Sequence, residues 1–127
     1  MITITGPQAI ELLEQAVQDR GPDFVYTQRS KLVPNLGPSH GCWYERDGVP
    51  CCGVGVALRK AGVRINVLSI MDSMDGDTGI IAVADTLEEY GKVALDTDAL
   101  AVFAKFQDLQ DHETPWGEAL AEAKKEI

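Results

Sequence analysis

His40, Cys42, Cys51 and Cys52 lie close together in the chain, and their side chains are those that bind zinc or act as nucleophiles. A zinc ion takes His and Cys groups converging as a tetrahedron. Neighbouring residues of a strand point to opposite faces, so Cys51 and Cys52 do not both reach one ion if that stretch is extended. His40, Cys42 and one further cysteine fall short of a closed structural site, and no metal or other cofactor is expected. The string shares part of the H-x-E…P-C-x-x-C arrangement of zinc deaminases, but Cys42 stands where the catalytic Glu belongs and no second cysteine has the required spacing. A nucleophilic thiol is the other chemistry. Cys52 precedes an expected helix, whose N-terminus lowers a thiol pKa. A thiol hydrolase also needs a base and an oxyanion site. His40 is the only base nearby in sequence, and His112 is remote. Small cysteines packed under a hairpin give the same pattern without chemistry, so no catalytic residue is assigned.

Asp72, Asp75 and Asp77 with Gly76 resemble a calcium loop, but Met71 and Ser73 fall where ligands belong and the closing Glu is missing; an acidic turn is expected. Residues 53–71 can be read as a helix-turn-helix with Gly62 in the turn. Its recognition segment would carry one base, Arg64, and one amide, Asn66, with an acidic turn directly after it, so DNA binding is not expected. Walker, dinucleotide-binding and H-E-x-x-H patterns do not occur.

Binding chemistry remains. Tyr26, Arg29, Lys31, His40, Trp43, Tyr44 and Arg46 combine aromatic and basic side chains around an expected exposed loop, 28–41. Strand parity puts Trp43 and Tyr44 on opposite faces, leaving one for the core and one for contact. The formal charge of −9 is unevenly placed: residues 1–63 hold six acids and six bases, whereas residues 64–127 hold fourteen acids and five bases. Such a surface repels nucleic acid and favours encounter with a basic protein surface. Asp108, Asp111 and Glu113 are the acids expected to meet such a partner, with Trp43 or Trp116 as an apolar contact.

These side chains need a scaffold. The 127 residues, 45% apolar and 24% charged, suit a single domain spanning 1–127. The apolar runs are too short for a membrane span. MITITGPQ has no basic region or long apolar stretch, so no secretory signal is expected. Three cysteines suggest reduced thiols and a cytoplasmic setting. Residues 2–5 alternate as a strand, and Thr5 with Gln8 forms a capping box for a helix carrying Ala9, Leu12, Leu13, Ala16 and Val17, stopped by Gly21-Pro22. Residues 24–27 read as a second strand. Asp47-Gly48 marks a hairpin; a three-residue loop there would place Cys42 opposite Cys52. A short helix follows over 53–61. Residues 63–71 fit a second helix, with a strand as the alternative, and 79–90 fit a helix or a strand, with Leu87 and Gly91 favouring helix. A strand at 93–95 leads to a helix capped by Asp96 or Thr97 with the face Leu100, Phe103, Ala104, Phe106 and Leu109. A last helix opens at Thr114-Pro115, with Thr114 as cap. Strand, cap and helix thus occur twice, at 2–19 and 93–111. The fold expected is α+β: a small antiparallel sheet from 2–5, 24–27, 42–45 and 93–95, with helices packed mainly on one face.

The pattern Cys42-x-Tyr44-x-x-Asp47-Gly48-x-Pro50-x-Cys52-x-Val54-Gly55, continued by Leu58 and Ala61-Gly62-Val63, together with Thr114-x-Trp116-Gly117-Glu118-Ala119-Leu120, resembles a family of small uncharacterised proteins from actinobacteriophages and actinobacteria. The resemblance implies a cytoplasmic phage accessory protein of the kind that binds and redirects host or defence components. Two functions are therefore expected ahead of an enzyme. One is a non-enzymatic module that modulates a host or defence protein with a basic surface. The other is a small-ligand binder that sequesters an anionic metabolite or nucleotide through Arg29, Lys31, Arg46 and an aromatic platform.

Overall fold

The computed structural model describes residues 1–27, 43–74 and 78–127. Along the chain these form β1 (Ile2–Ile4), α1 (Gly6–Arg20), β2 (Glu45–Arg46), β3 (Val49–Pro50), α2 (Gly53–Lys60), α3 (Ile65–Asp72), α4 (Ile80–Gly91), β4 (Val93–Leu95), α5 (Thr97–Asp111) and α6 (Trp116–Ala123). The architecture is helix-dominated α+β. No helix among the described residues is long and apolar enough to cross a membrane.

Local signals place most of the helices. Thr5 and Gln8 form the reciprocal capping box of α1, and Gly21 ends it. Asp96 accepts the Ala99 N–H at 2.7 Å and starts α5. Both ambiguous stretches, 63–71 and 79–90, resolve as helices because each buries a stripe at helical spacing: Val67, Leu68 and Met71 in α3, Ile80, Val83 and Leu87 in α4.

Among the described residues the strands do not form the expected four-stranded antiparallel sheet but two separate pairs. β1 and β4 run parallel in the register Ile2↔Val93 to Ile4↔Leu95, so the two strand–cap–helix units lie side by side. β2 and β3 form an antiparallel hairpin. Residues 24–27 are no strand, because neighbouring backbone groups have another task. The Phe24 and Pro22 carbonyls accept the Trp116 and Gly117 N–H groups at 2.9 and 2.8 Å. The first turn of α6 is therefore capped from a distance, its N-cap is Pro115 rather than Thr114, and no side chain is needed there.

The core lies between helices. α5 packs against α1, α2, α4 and α6, and Trp116 meets Phe24 and Phe106 edge-on at 4.7 and 5.7 Å. The buried face of α5 is Ala99, Val102, Phe103, Phe106, Gln107 and Gln110. It is rotated from the expected one: Leu100, Ala104 and Leu109 lie at its margin, and two glutamines take the interior.

Candidate functional site

The hairpin turns on Asp47 and Gly48, both at positive φ, as a two-residue type I′ turn requires. Its register pairs Glu45 with Pro50 and Arg46 with Val49. The three-residue loop is thereby corrected: Trp43, not Cys42, stands across from Cys52, whose N–H donates to the Trp43 carbonyl at 2.9 Å. Cys42 lies outside the described residues. Cys52 is buried, caps α2, and its Sγ accepts the Gly55 N–H at 3.3 Å.

Alternation then separates Trp43 from Tyr44. Tyr44 turns inward and is fully buried. Its hydroxyl donates to the Thr78 carbonyl at 2.6 Å and accepts from Gln107 Nε2 at 3.0 Å. Gln107 Oε1 in turn accepts the Ile80 N–H that opens α4, at 2.7 Å. The Asp72 carboxylate accepts the Tyr44 and Glu45 N–H groups at 2.8 and 3.0 Å. These groups fix the hairpin to α3, α4 and α5.

The outer face of the hairpin walls a cleft of about 390 Å³, within the volume range of small-molecule sites. Segment 24–27 forms the opposite wall. The Arg46 guanidinium lies 4.4 Å from the centroid of the Trp43 ring, a cation–π stack. The backbone N–H of Trp43 donates to the Tyr26 hydroxyl at 2.9 Å, which ties the two walls together. Arg20, at the end of α1, donates to the carbonyls of Cys51 and Pro50 and lies over the Phe24 and Trp116 rings at 5.4 and 5.3 Å. Arg20 therefore holds the hairpin in place, whereas exposed Arg46 makes no ion pair among the described residues. Cys51 lines the same cleft, and its Sγ donates to the Val49 carbonyl at 3.3 Å. Burial pushes its pKa up, Cys52 adds to this and Arg20 opposes it. The arrangement works against a thiolate at neutral pH.

Of the residues expected to bind, Tyr26, Trp43 and Arg46 meet in this cleft. Arg29, Lys31 and His40 lie outside the described residues, in the segment that joins the lining residues Thr27 and Trp43. Tyr44 and Trp116 are fully buried and belong to the core rather than to a contact surface. At the end of α5, Asp108 and Glu113 are exposed, but Asp111 is half-buried. Asp111 accepts from Gln110 Nε2 at 3.0 Å, and Gln110 Oε1 accepts the Gly53 N–H that opens α2, at 3.1 Å. Burial pushes the Asp111 pKa up to about 7, helped by Asp108 and opposed by Gln110 and His112. The exposed His112 ring is raised by its contact with the Asp108 carbonyl and then by the Asp108 charge. No three His, Cys, Asp or Glu groups among the described residues could hold a metal ion.

Sequence reasoning missed Arg20, Phe24 and Cys51 as cleft residues. A basic residue in the last turn of α1 was the available signal for Arg20, but that position also suits the helix dipole alone. Phe24 and Cys51 come to the cleft only through long-range contacts. No family model, curated protein or solved structure matches this chain.

Proposed function

We propose that this protein is a non-enzymatic binding module that takes an anionic small molecule with a planar or apolar part into the cleft between the hairpin and segment 24–27. The observation that carries this reading is the Arg46–Trp43 stack at the rim of that cleft. A guanidinium placed over an indole is positioned before a ligand arrives, so less side-chain freedom is lost on binding. Apolar lining from Phe24, Val25 and Val49 suits the remainder of the ligand. Sequestration of an anionic metabolite or nucleotide fits the phage accessory setting that the sequence resemblance implies. Calorimetric titration with benzoate, adenosine monophosphate and inorganic phosphate tests it. One of the two planar anions should bind more tightly than phosphate, quench Trp43 fluorescence, and lose about tenfold in affinity, or ~1.4 kcal/mol, in Arg46→Ala. Equal weak binding of all three, unchanged in Arg46→Ala, would overturn the reading.

A second reading, docking on a basic surface of a host or defence protein, is supported by the exposed carboxylates of Asp108 and Glu113. Reversal of these two charges should slow association and reduce its salt dependence. A partner captured equally well by the doubly reversed protein counts against it.

A further inference from the structure

A second depression lies on the acidic half of the chain, where cations are scarce. It has a volume of about 350 Å³ and is lined by Arg64 and Asn66 from the start of α3, with Tyr90 and Lys92 from the junction of α4 and β4. Two of the five bases in residues 64–127 thus converge on one concavity, and none of its fourteen acids lines it. Neither Arg64 nor Lys92 makes an ion pair among the described residues. Lys92 Nζ donates once, to the Glu89 carbonyl at 2.9 Å, which leaves two ammonium protons. Its backbone is pinned: the Lys92 N–H donates to the Glu88 carbonyl, and its own carbonyl accepts the Ile2 N–H at 3.0 Å. Arg64 is the exposed N-cap residue of α3, and its guanidinium makes no hydrogen bond among the described residues.

We propose that this depression binds a small phosphate, either inorganic phosphate or the phosphoryl end of a small phosphomonoester, with Arg64 and Lys92 as its cations. Two cations on one concavity suit a compact tetrahedral oxyanion with several acceptor oxygens. The net charge of −9 works against a nucleic-acid polyanion at the same place. This site does not depend on the hairpin cleft.

Residue-resolved amide NMR on the full chain tests the proposal, with inorganic phosphate, glycerol phosphate and acetate added separately at constant ionic strength. Phosphate and glycerol phosphate should give saturable shifts at Ile65, Asn66 and Lys92, with acetate several-fold weaker. Arg64→Ala and Lys92→Asn should each weaken binding about fivefold or more, while Lys105→Ala leaves it unchanged. Asn is chosen because Lys92 has a φ of 56° and Asn tolerates that conformation. Tighter binding of glycerol phosphate assigns the site to a phosphomonoester, and equal binding assigns it to free phosphate. Non-saturating shifts, shifts equal with acetate, or shifts that persist in both variants with the fold intact would overturn it. Reporters at Trp43 and Arg46 separate this result from any binding in the hairpin cleft.

Discussion

The two faces of one hairpin use polar chemistry in opposite ways. On the inner face, the Tyr44 hydroxyl, Gln107 and the Asp72 carboxylate bond backbone groups of Thr78, of the start of α4 and of the hairpin itself. On the outer face, Arg46 is stacked on Trp43 but forms no ion pair among the described residues. A buried polar group must find a partner inside, because leaving one unmade costs its full desolvation. A group at the rim of a cleft keeps water as a partner and can exchange it for a ligand. The difference teaches where to look for function: in two adjacent residues, Tyr44 holds structure and Trp43 faces exchangeable chemistry.

The largest test breaks the inner face outright. A Cβ at Gly55 would lie 2.3 Å from the Tyr44 carbonyl oxygen, and backbone cannot swing away as a side chain can. Gly55→Ala should cost at least ~3 kcal/mol in chemical denaturation; a loss below ~1 kcal/mol would mean that α2 and the hairpin are not held this closely. Next, Tyr44→Phe removes one hydroxyl that serves both Thr78 and Gln107. It should lower stability by roughly 1–3 kcal/mol while leaving anion binding in the cleft intact. Loss of binding without loss of stability would reverse the roles assigned to the two faces.

A third test asks what the inner scaffold does to a charge. Asp111 is attached to it through Gln110, and its pKa is raised from 3.8 to about 7. Between those values the folded chain keeps a proton that the unfolded chain has lost. Stability should therefore be highest below about pH 4 as far as this group is concerned, and should fall as pH rises through about 7. The raised pKa of His112 acts in the same direction. Asp111→Asn keeps an acceptor for Gln110 and cannot ionise, so it should raise the melting temperature most at pH 8, less at pH 5, and change it little below about pH 4. An unchanged pH profile would show that the carboxyl is solvated after all. The smallest effect on stability belongs to the outer face: Arg46→Ala should shift stability by no more than about 0.5 kcal/mol, with its consequence confined to binding. A larger loss would make the Trp43 stack structural.

Much of the inner scaffold was hidden from sequence reading by residue type. Gln107 and Gln110 interrupt the apolar pattern of α5, so a face drawn through Leu100, Ala104 and Leu109 looked better; the glutamines are interior because each caps a distant helix, α4 and α2 respectively. Trp43 and Tyr44 could be divided between two faces by parity, but their assignment required the partners of the tyrosine hydroxyl. Arg20 lies thirty residues from the carbonyls it grips, beyond any local pattern.

The amino-acid sequence by itself determined the features that depend on contacts three or four residues apart: the Thr5–Gln8 capping box, the Asp96 cap, the Asp47-Gly48 turn, and the polarity of charge along the chain. Only the tertiary structure decided that β1 joins β4 in parallel, and that 24–27 leaves the sheet so that nearby carbonyls can cap α6. The physical reason is competition. A turn or a cap closes at little entropic cost and outcompetes other local states. A strand-forming segment can satisfy its backbone against several distant partners, and the choice rests with whichever one the packed core brings within hydrogen-bond reach.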